Sequence, residues 1–188
     1  MTAMAELGTT PQDWIAGTWT IDPAHTMVGF AVRHLMSRVR GTFSEVSGQI
    51  TTSAEPSEST TAATIAVSSV STGTEMRDNH LRSADFFEAD RYPVMSFTST
   101  GLRPADGSWL LSGELTIRDV TRPVDLELEF LGIDPTGLQG EARIGFSARG
   151  AISRSDFGIT FGLAADGTKI FLGDQVDLVL DVQAFLGA

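Results

Sequence analysis

From Thr18 onward, apolar residues recur at every second position in a series of runs separated by Gly, Asp and Pro turns. In the first run Val28, Phe30 and Val32 alternate with Gly29 and Ala31. Ile65 and Val67 oppose Thr64, Ala66 and Ser68, and Met95 and Phe97 oppose Ser96 and Thr98. Trp109, Leu111, Gly113, Leu115 and Ile117 share one face, with Ser112, Glu114 and Thr116 on the other. The cleanest run sets Val124, Leu126, Leu128 and Phe130 against Asp125, Glu127 and Glu129. Ala142, Ile144, Phe146 and Ala148 repeat the pattern, as do Val176, Leu178, Leu180 and Val182. Strict alternation gives one buried and one wet face, the habit of antiparallel sheet. About eight such runs predict an all-β fold, an eight-stranded antiparallel barrel.

Two of the runs, residues 121–133 and 141–153, are much longer than the usual strand of ~5–6 residues. At ~3.3 Å per residue and a tilt near ~40°, they build a barrel roughly 30 Å tall. Gly29, Ala31, Gly113, Gly145, Ala148 and Gly150 are small. Wherever they point inward they leave room for an elongated apolar ligand. The other reading of the same residues is a barrel packed solid by its own Leu, Val and Phe side chains.

One segment breaks the pattern. Arg77-Asp78-Asn79-His80-Leu81-Arg82 is dense in polar residues and predicts a short helix inserted in the barrel. Thr72 followed by Glu75 has capping-box spacing, which starts the helix near Gly73. Asp78 and Arg82 stand at i and i+4 with the acid first, a supporting pair. Asp85 with Glu88 is placed to cap a second turn carrying Phe86 and Phe87, which ends at Pro93. Residues 1–17 have no periodicity and read as a flexible tail, leaving 18–188 as a single barrel domain.

Composition narrows the function. The 188 residues carry a net charge of −11, which argues against nucleic acid as a partner. No apolar run approaches the ~20 residues of a membrane-spanning helix. The first seventeen residues include Glu6 and Asp13 but no Lys or Arg and no apolar core. A secretory leader is therefore not expected, and a cytoplasmic location is. With no cysteine, disulfides, thiol catalysis and Cys-ligated metals are excluded.

Candidate chemistry rests on His25, His34 and His80 and on the arginines. The histidines lack any compact ligand spacing, so no metal site or cofactor is expected; with Asp22 and Asp78 they read as hydrogen-bonded braces near the barrel mouth. Ser37 and Ser83 lie close in sequence to His34 and His80, but no nucleophile elbow is present. Arg33, Arg38 and Arg40 form a basic island. Arg77, Arg82 and Arg91 alternate with Asp78, Asp85 and Asp90, which predicts mutual salt bridges. Arg154 is read as pairing with Asp156 across a turn in which Gly158 takes positive φ. The sharper reading is that one or two of these arginines, or Arg33 with His34, reach a ligand head group through the guanidinium fork.

At this point the residues resemble the YceI-like family of lipid-binding barrels. The likeness starts at Trp19-Thr20-Ile21-Asp22-Pro23-Ala24-His25-Thr26 and runs through Val28, Phe30 and His34. Its densest part is Arg77-Asp78, His80-Leu81, Ser83 and Asp85-Phe86-Phe87, followed by Pro93 and Phe97. Gly113-Glu114-Leu115-Thr116-Ile117, Val120-Thr121 and Val124 fit the next motif; Arg154, Asp156-Phe157-Gly158 and Gly173-Asp174-Gln175-Val176 fit the last. The resemblance implies an extended lipocalin-like barrel with a helical insertion, holding a long isoprenoid or related amphiphile, and a homodimer is known among relatives. Arg118-Asp119 departs from the pattern, standing where a glycine is frequent.

The expected function is a carrier for a polyisoprenoid, an isoprenoid quinone or a similar amphiphile. Phe30, Val67, Phe97, Trp109, Leu115, Leu128, Phe146 and Leu180 are the candidate wall of the bore. His34, Arg38, Arg77 and His80 are the candidate mouth. The alternative is an enzyme acting on a small apolar substrate inside the barrel, with His34 or His80 as base.

Overall fold

The period-two runs form one antiparallel sheet that closes on itself. The computed structural model describes residues 10–163 and 171–187. Eleven hydrogen-bonded segments make eight strands, because the first three strands are each interrupted once. They are β1 (Gly17–Ile21 and Met27–His34), β2 (Ser37–Phe43 and Val46–Thr52) and β3 (Thr60–Ala66 and Val70–Ser71). The helix α1 (Glu75–Arg82) follows, then β4 (Val94–Ala105), β5 (Ser108–Ile117), β6 (Val120–Asp134), β7 (Arg143–Ser153) and β8 (Leu172–Leu186). Each strand pairs with its neighbour in sequence, and β8 returns to β1 through Trp19↔Leu186 and Phe30↔Leu178. With 15 residues, β8 sets a wall roughly 35 Å high at the usual rise and tilt.

The interruptions are not visible in the alternation. Pro23–His25 forms a 3-10 turn inside β1, capped by the Asp22 side chain, which accepts from the Ala24 amide. Val67–Ser69 forms a second 3-10 turn, inside β3, without a side-chain cap. Both turns bend their strand without breaking the order of the sheet.

The helix begins differently from the sequence expectation. Its N-cap is Thr74, which makes no side-chain cap, so the Thr72–Glu75 capping box does not form. Instead Asp78, 7% exposed, reaches back to accept from the Thr72 amide (2.8 Å) and hydroxyl (2.6 Å). Asp78 is thereby taken from Arg82, which donates to the carbonyls of Ser68 (3.0 Å) and Val70 (2.9 Å) and ties α1 to β3. Asp85 does not cap the second turn either: the Phe86 amide goes to the Ser83 carbonyl, and the Asp85 carboxylate faces His80.

The predicted tail is partly wall. Residues 1–9 lie outside the described residues, but Trp14 packs edge-on against Phe130 and Phe146. Its indole donates to the Ser53 carbonyl at 2.7 Å. At that end of the barrel Trp19, fully buried, packs with Ile144, Phe146 and Ala184. At the opposite end Phe43, Val46, Val70, Phe86, Phe157 and Ile159 form the largest cluster, beneath the helix.

Candidate functional site

The inner face of the barrel encloses a cavity of about 510 Å³, within the range of small-molecule sites. Its wall comes from the alternate positions of all eight strands. Phe30, Phe97, Leu115, Leu128, Phe146, Leu178 and Leu180 line it, with Ala148 at mid-height between Leu128 and Leu180 in register. Several of these side chains, Leu128 and Leu180 among them, are only half-buried although they point inward. The lining is almost wholly apolar, so the cavity suits hydrocarbon and offers little to hold a polar solute.

Small residues contribute otherwise than by leaving space. Gly29, Ala31 and Gly145 stand at outward positions of the alternation. Of the inward ones, Gly113 lies under the Phe97 ring and Gly41 under the Phe30 ring, where an added methyl would overlap the aromatic carbons. Gly150 does the same for Leu126, whose Cδ2 would be 2.7 Å from a Cβ. Three glycines thus let large side chains lie flat against the wall. Ala148 is the inward small residue that directly widens the bore.

The helix and the turns after it shape one end. His80 sits edge-on to Phe86 (5.0 Å) and Phe161 (4.8 Å), and Phe161 continues to Phe171 (5.9 Å) and thence to His34 (6.4 Å). Phe161, Phe171 and Leu35 are exposed around this rim, so the cavity reaches the surface here. His80 Nε2 lies 2.8 Å from Asp85 Oδ2. Ser83 donates to the His80 backbone carbonyl, not to its ring.

The predicted bore and mouth residues divide as follows. Phe30, Phe97, Leu115, Leu128, Phe146 and Leu180 line the cavity, and His34, Arg77 and His80 line its helix end. Three candidates stand apart. Arg38 points outward and pairs with Asp177 on the barrel exterior, because it falls on the wet parity of β2. Val67 is 1% exposed, but its 3-10 turn swings it into the cluster under the helix. Trp109 has the right parity but sits at the start of β5 and packs against the cluster of Leu102 and Leu111, which line the cavity in its place. The sequence reading missed Trp14, Phe161 and Phe171, which also line the cavity, as does Arg154, one of the arginines weighed for a ligand head group. Trp14 lies outside any periodic run, and the phenylalanines flank a segment with no alternation.

The arginines bind backbone more than carboxylate. Arg77 donates to the Thr72 hydroxyl (2.7 Å) and carbonyl (3.0 Å). Arg154 does not meet Asp156; it donates to the carbonyls of Gly173, Ile159 and Leu172, while Gly158 takes the expected positive φ of 76°. Arg91 faces Glu88 at 3.8 Å, not Asp90. Arg118 takes the left-handed position of its turn (φ 58°), where glycine is favoured, and is held by Glu88 at 3.1 Å.

Asp22 and His25 form a brace, though on the outer wall at the end away from α1. Asp22 Oδ2 meets Arg143 Nη1 and His25 Nδ1, each at 2.7 Å. The Arg143 hydrogen bond, helped by those from His25 and Ala24 and opposed by burial, lowers the Asp22 pKa to about 2. Among the described residues, no three His, Asp or Glu side chains come together as a metal-ligand cluster.

Known proteins share this architecture. A barrel from Burkholderia cenocepacia, BcnA, superimposes with a TM-score of 0.74 at 23% identity, covering 87% of this chain and 99% of that one. The YceI protein of Campylobacter jejuni gives 0.71 at 34% identity, covering 83% and 90%. Among sequences, a UPF0312 protein of Photorhabdus laumondii is 34% identical over 90% of this chain and 86% of its own length. Protein YceI of Shigella flexneri is 35% identical over 90% and 87%. The YceI-like domain pattern matches residues 19–184, and the chain belongs to the YceI-like family.

Proposed function

We propose that this protein binds and carries a long apolar ligand, a polyisoprenoid, an isoprenoid quinone or a similar amphiphile, with its tail in the bore. The observation that carries the reading is the apolar cavity itself, lined by inward-facing but half-buried Leu and Phe side chains and reaching the surface at the helix end. Covering those side chains gains ~0.8 kcal/mol for each methylene withdrawn from water, so a long tail binds tightly with little polar help. A barrel of the same fold in Saccharophagus degradans (TM-score 0.67, 18% identity) is described as a polyisoprenoid binding domain; at that identity the likeness concerns the fold.

Native mass spectrometry of gently purified protein, followed by solvent extraction, tests the reading. A retained species, or uptake of added isoprenoids that tightens with chain length, is the expected result. A protein that comes empty and takes up neither isoprenoid nor fatty amphiphile would refute it. The competing enzyme reading needs His34 or His80 as base. Replacing both with Gln separates the two, because a carrier keeps its ligand and an enzyme loses turnover.

A further inference from the structure

Two arginines line the bore, Arg77 and Arg154. In a chain with 24 acidic and 13 basic residues, carboxylates are abundant. Yet among the described residues neither arginine has a carboxylate within 4 Å. Arg154 is 5% exposed. Its Nε, Nη1 and Nη2 donate to the carbonyls of Gly173 (2.8 Å), Ile159 (3.1 Å) and Leu172 (3.0 Å). These use three of the five N–H donors of a guanidinium and leave two uncommitted. They also satisfy hydrogen bonds without neutralising the charge. Asp174, whose charge acts on it, is engaged by the Ser155 amide and hydroxyl, both at 2.9 Å. A buried charge without a counter-ion is costly, and such groups are ordinarily paired.

Arg77 is the weaker case of the same kind. Its Nε and Nη2 go to Thr72 and Thr74, and the Thr72 hydroxyl passes the interaction on to Asp78. Its Nη1 has no partner among the described residues. Both arginines lie at the helix end, where the cavity reaches the surface.

We propose that Arg154, seconded by Arg77, forms an anion subsite that receives the phosphate or carboxylate head of an amphiphile. The guanidinium fork matches two oxygens of such a group, and a low-dielectric wall strengthens the contact. The inference rests on the carrier reading and adds to it the class of head group and the direction of entry. The head stays at the helix end, and the tail runs toward Leu128 and Phe146.

The test uses the wild-type chain with four ligands sharing one twenty-carbon tail length: a prenyl monophosphate, the matching alcohol, the matching hydrocarbon and a fatty carboxylate. Competition is read by native mass spectrometry at equal ligand concentrations. An anionic head should be retained about tenfold over the alcohol, the worth of one charge-assisted hydrogen bond. Retention of the phosphate alone or of both anions tells which source supplies the head. In Arg154→Met the preference should vanish while alcohol and hydrocarbon still bind. Because Arg154 also bridges three carbonyls, Arg77→Met is measured beside it and should reduce the preference several-fold. Equal retention of anion, alcohol and hydrocarbon by the wild type overturns the subsite and leaves the carrier intact. Failure of all four to bind overturns both.

Discussion

Ala148→Phe should cut the bore in two. Ala148 is 3% exposed and lies in register with Leu128 on one side and Leu180 on the other. It stands five positions before Ser153, the last residue of β7. At ~3.3 Å per residue and ~40° tilt that is roughly 13 Å of depth, out of roughly 35 Å for the whole wall. A phenyl ring placed there projects into the cavity, so the cost to folding stays within about 1–3 kcal/mol. For the ligand the effect is larger. Each methylene kept from the deep half forfeits ~0.8 kcal/mol, about a fourfold loss in affinity, and six of them forfeit roughly 5 kcal/mol. The assay is a ladder of isoprenoids of increasing length, with affinity taken from competition. Wild-type affinity should climb along the ladder, whereas the variant should follow it for short tails and then level off. Ala151→Phe, an exposed position of the same strand, serves as control and should leave the ladder unchanged. A variant ladder that climbs as far as the wild type would show that the tail does not pass Ala148, and the bore assignment would fall.

Other expectations follow from single contacts. Thr52 is 3% exposed, accepts from the Trp19 indole at 2.8 Å and donates to the Ile15 carbonyl at 2.6 Å. Thr52→Val strands both partners and should cost about 2 kcal/mol in urea unfolding; a loss under about 0.5 kcal/mol would show that the buried indole finds another acceptor. Gly113→Ala drives a methyl into the Phe97 ring and should cost about 1–3 kcal/mol. Adding Phe97→Leu should restore the share due to the ring but not that due to the Thr98 carbonyl, 2.8 Å from the added methyl; simple additivity of the two changes would count against the pairing. Asp22 has its folded pKa lowered to about 2 from 3.8, so its contribution is full above the unfolded value and lost as pH falls from about 4 toward 2. Discounted for solvent screening, that contribution is about 1 kcal/mol. Asp22→Asn should therefore lower thermal stability at neutral pH and narrow its gap from the wild type in acid; a gap that stays constant down to pH 2 would point to a purely steric role.

The architecture was readable because its signal is periodic. Val124, Leu126 and Leu128 against Asp125 and Glu127 encode one buried face wherever the strand lies, and each run repeats that code. The interruptions at Pro23–His25 and Val67–Ser69 escaped it, since a 3-10 turn borrows residues from an alternating run and re-aims one of them. Val67 was misassigned for that reason, and Arg38 because pattern alone does not say which parity faces in. The polar contacts were less legible still. Arg82 and Arg154 sit near Asp78 and Asp156 in sequence, but both chose backbone carbonyls from distant strands, which carry no residue-specific mark. Gly113 was read as open space when it is the seat of the Phe97 ring, a relation between residues 16 positions apart.

The seam that closes the barrel joins Trp19 to Leu186, nearly the two ends of the chain. Every other strand pairing is between neighbours in sequence and can form as the chain emerges from the ribosome. At about 5–20 residues per second, the stretch from Gly17 to Leu186 takes roughly 10–35 s to synthesise, and β8 is the last of the eight strands to appear. Until then β1 and β7 are open edges with unpaired amides, and the inner Leu and Phe face water. Until β8 emerges the nascent chain is thus an unrolled apolar sheet, and it acquires an interior only when that strand meets β1. Of all the strand edges, that of β1 waits longest for its partner and is the one most in need of shielding in the meantime.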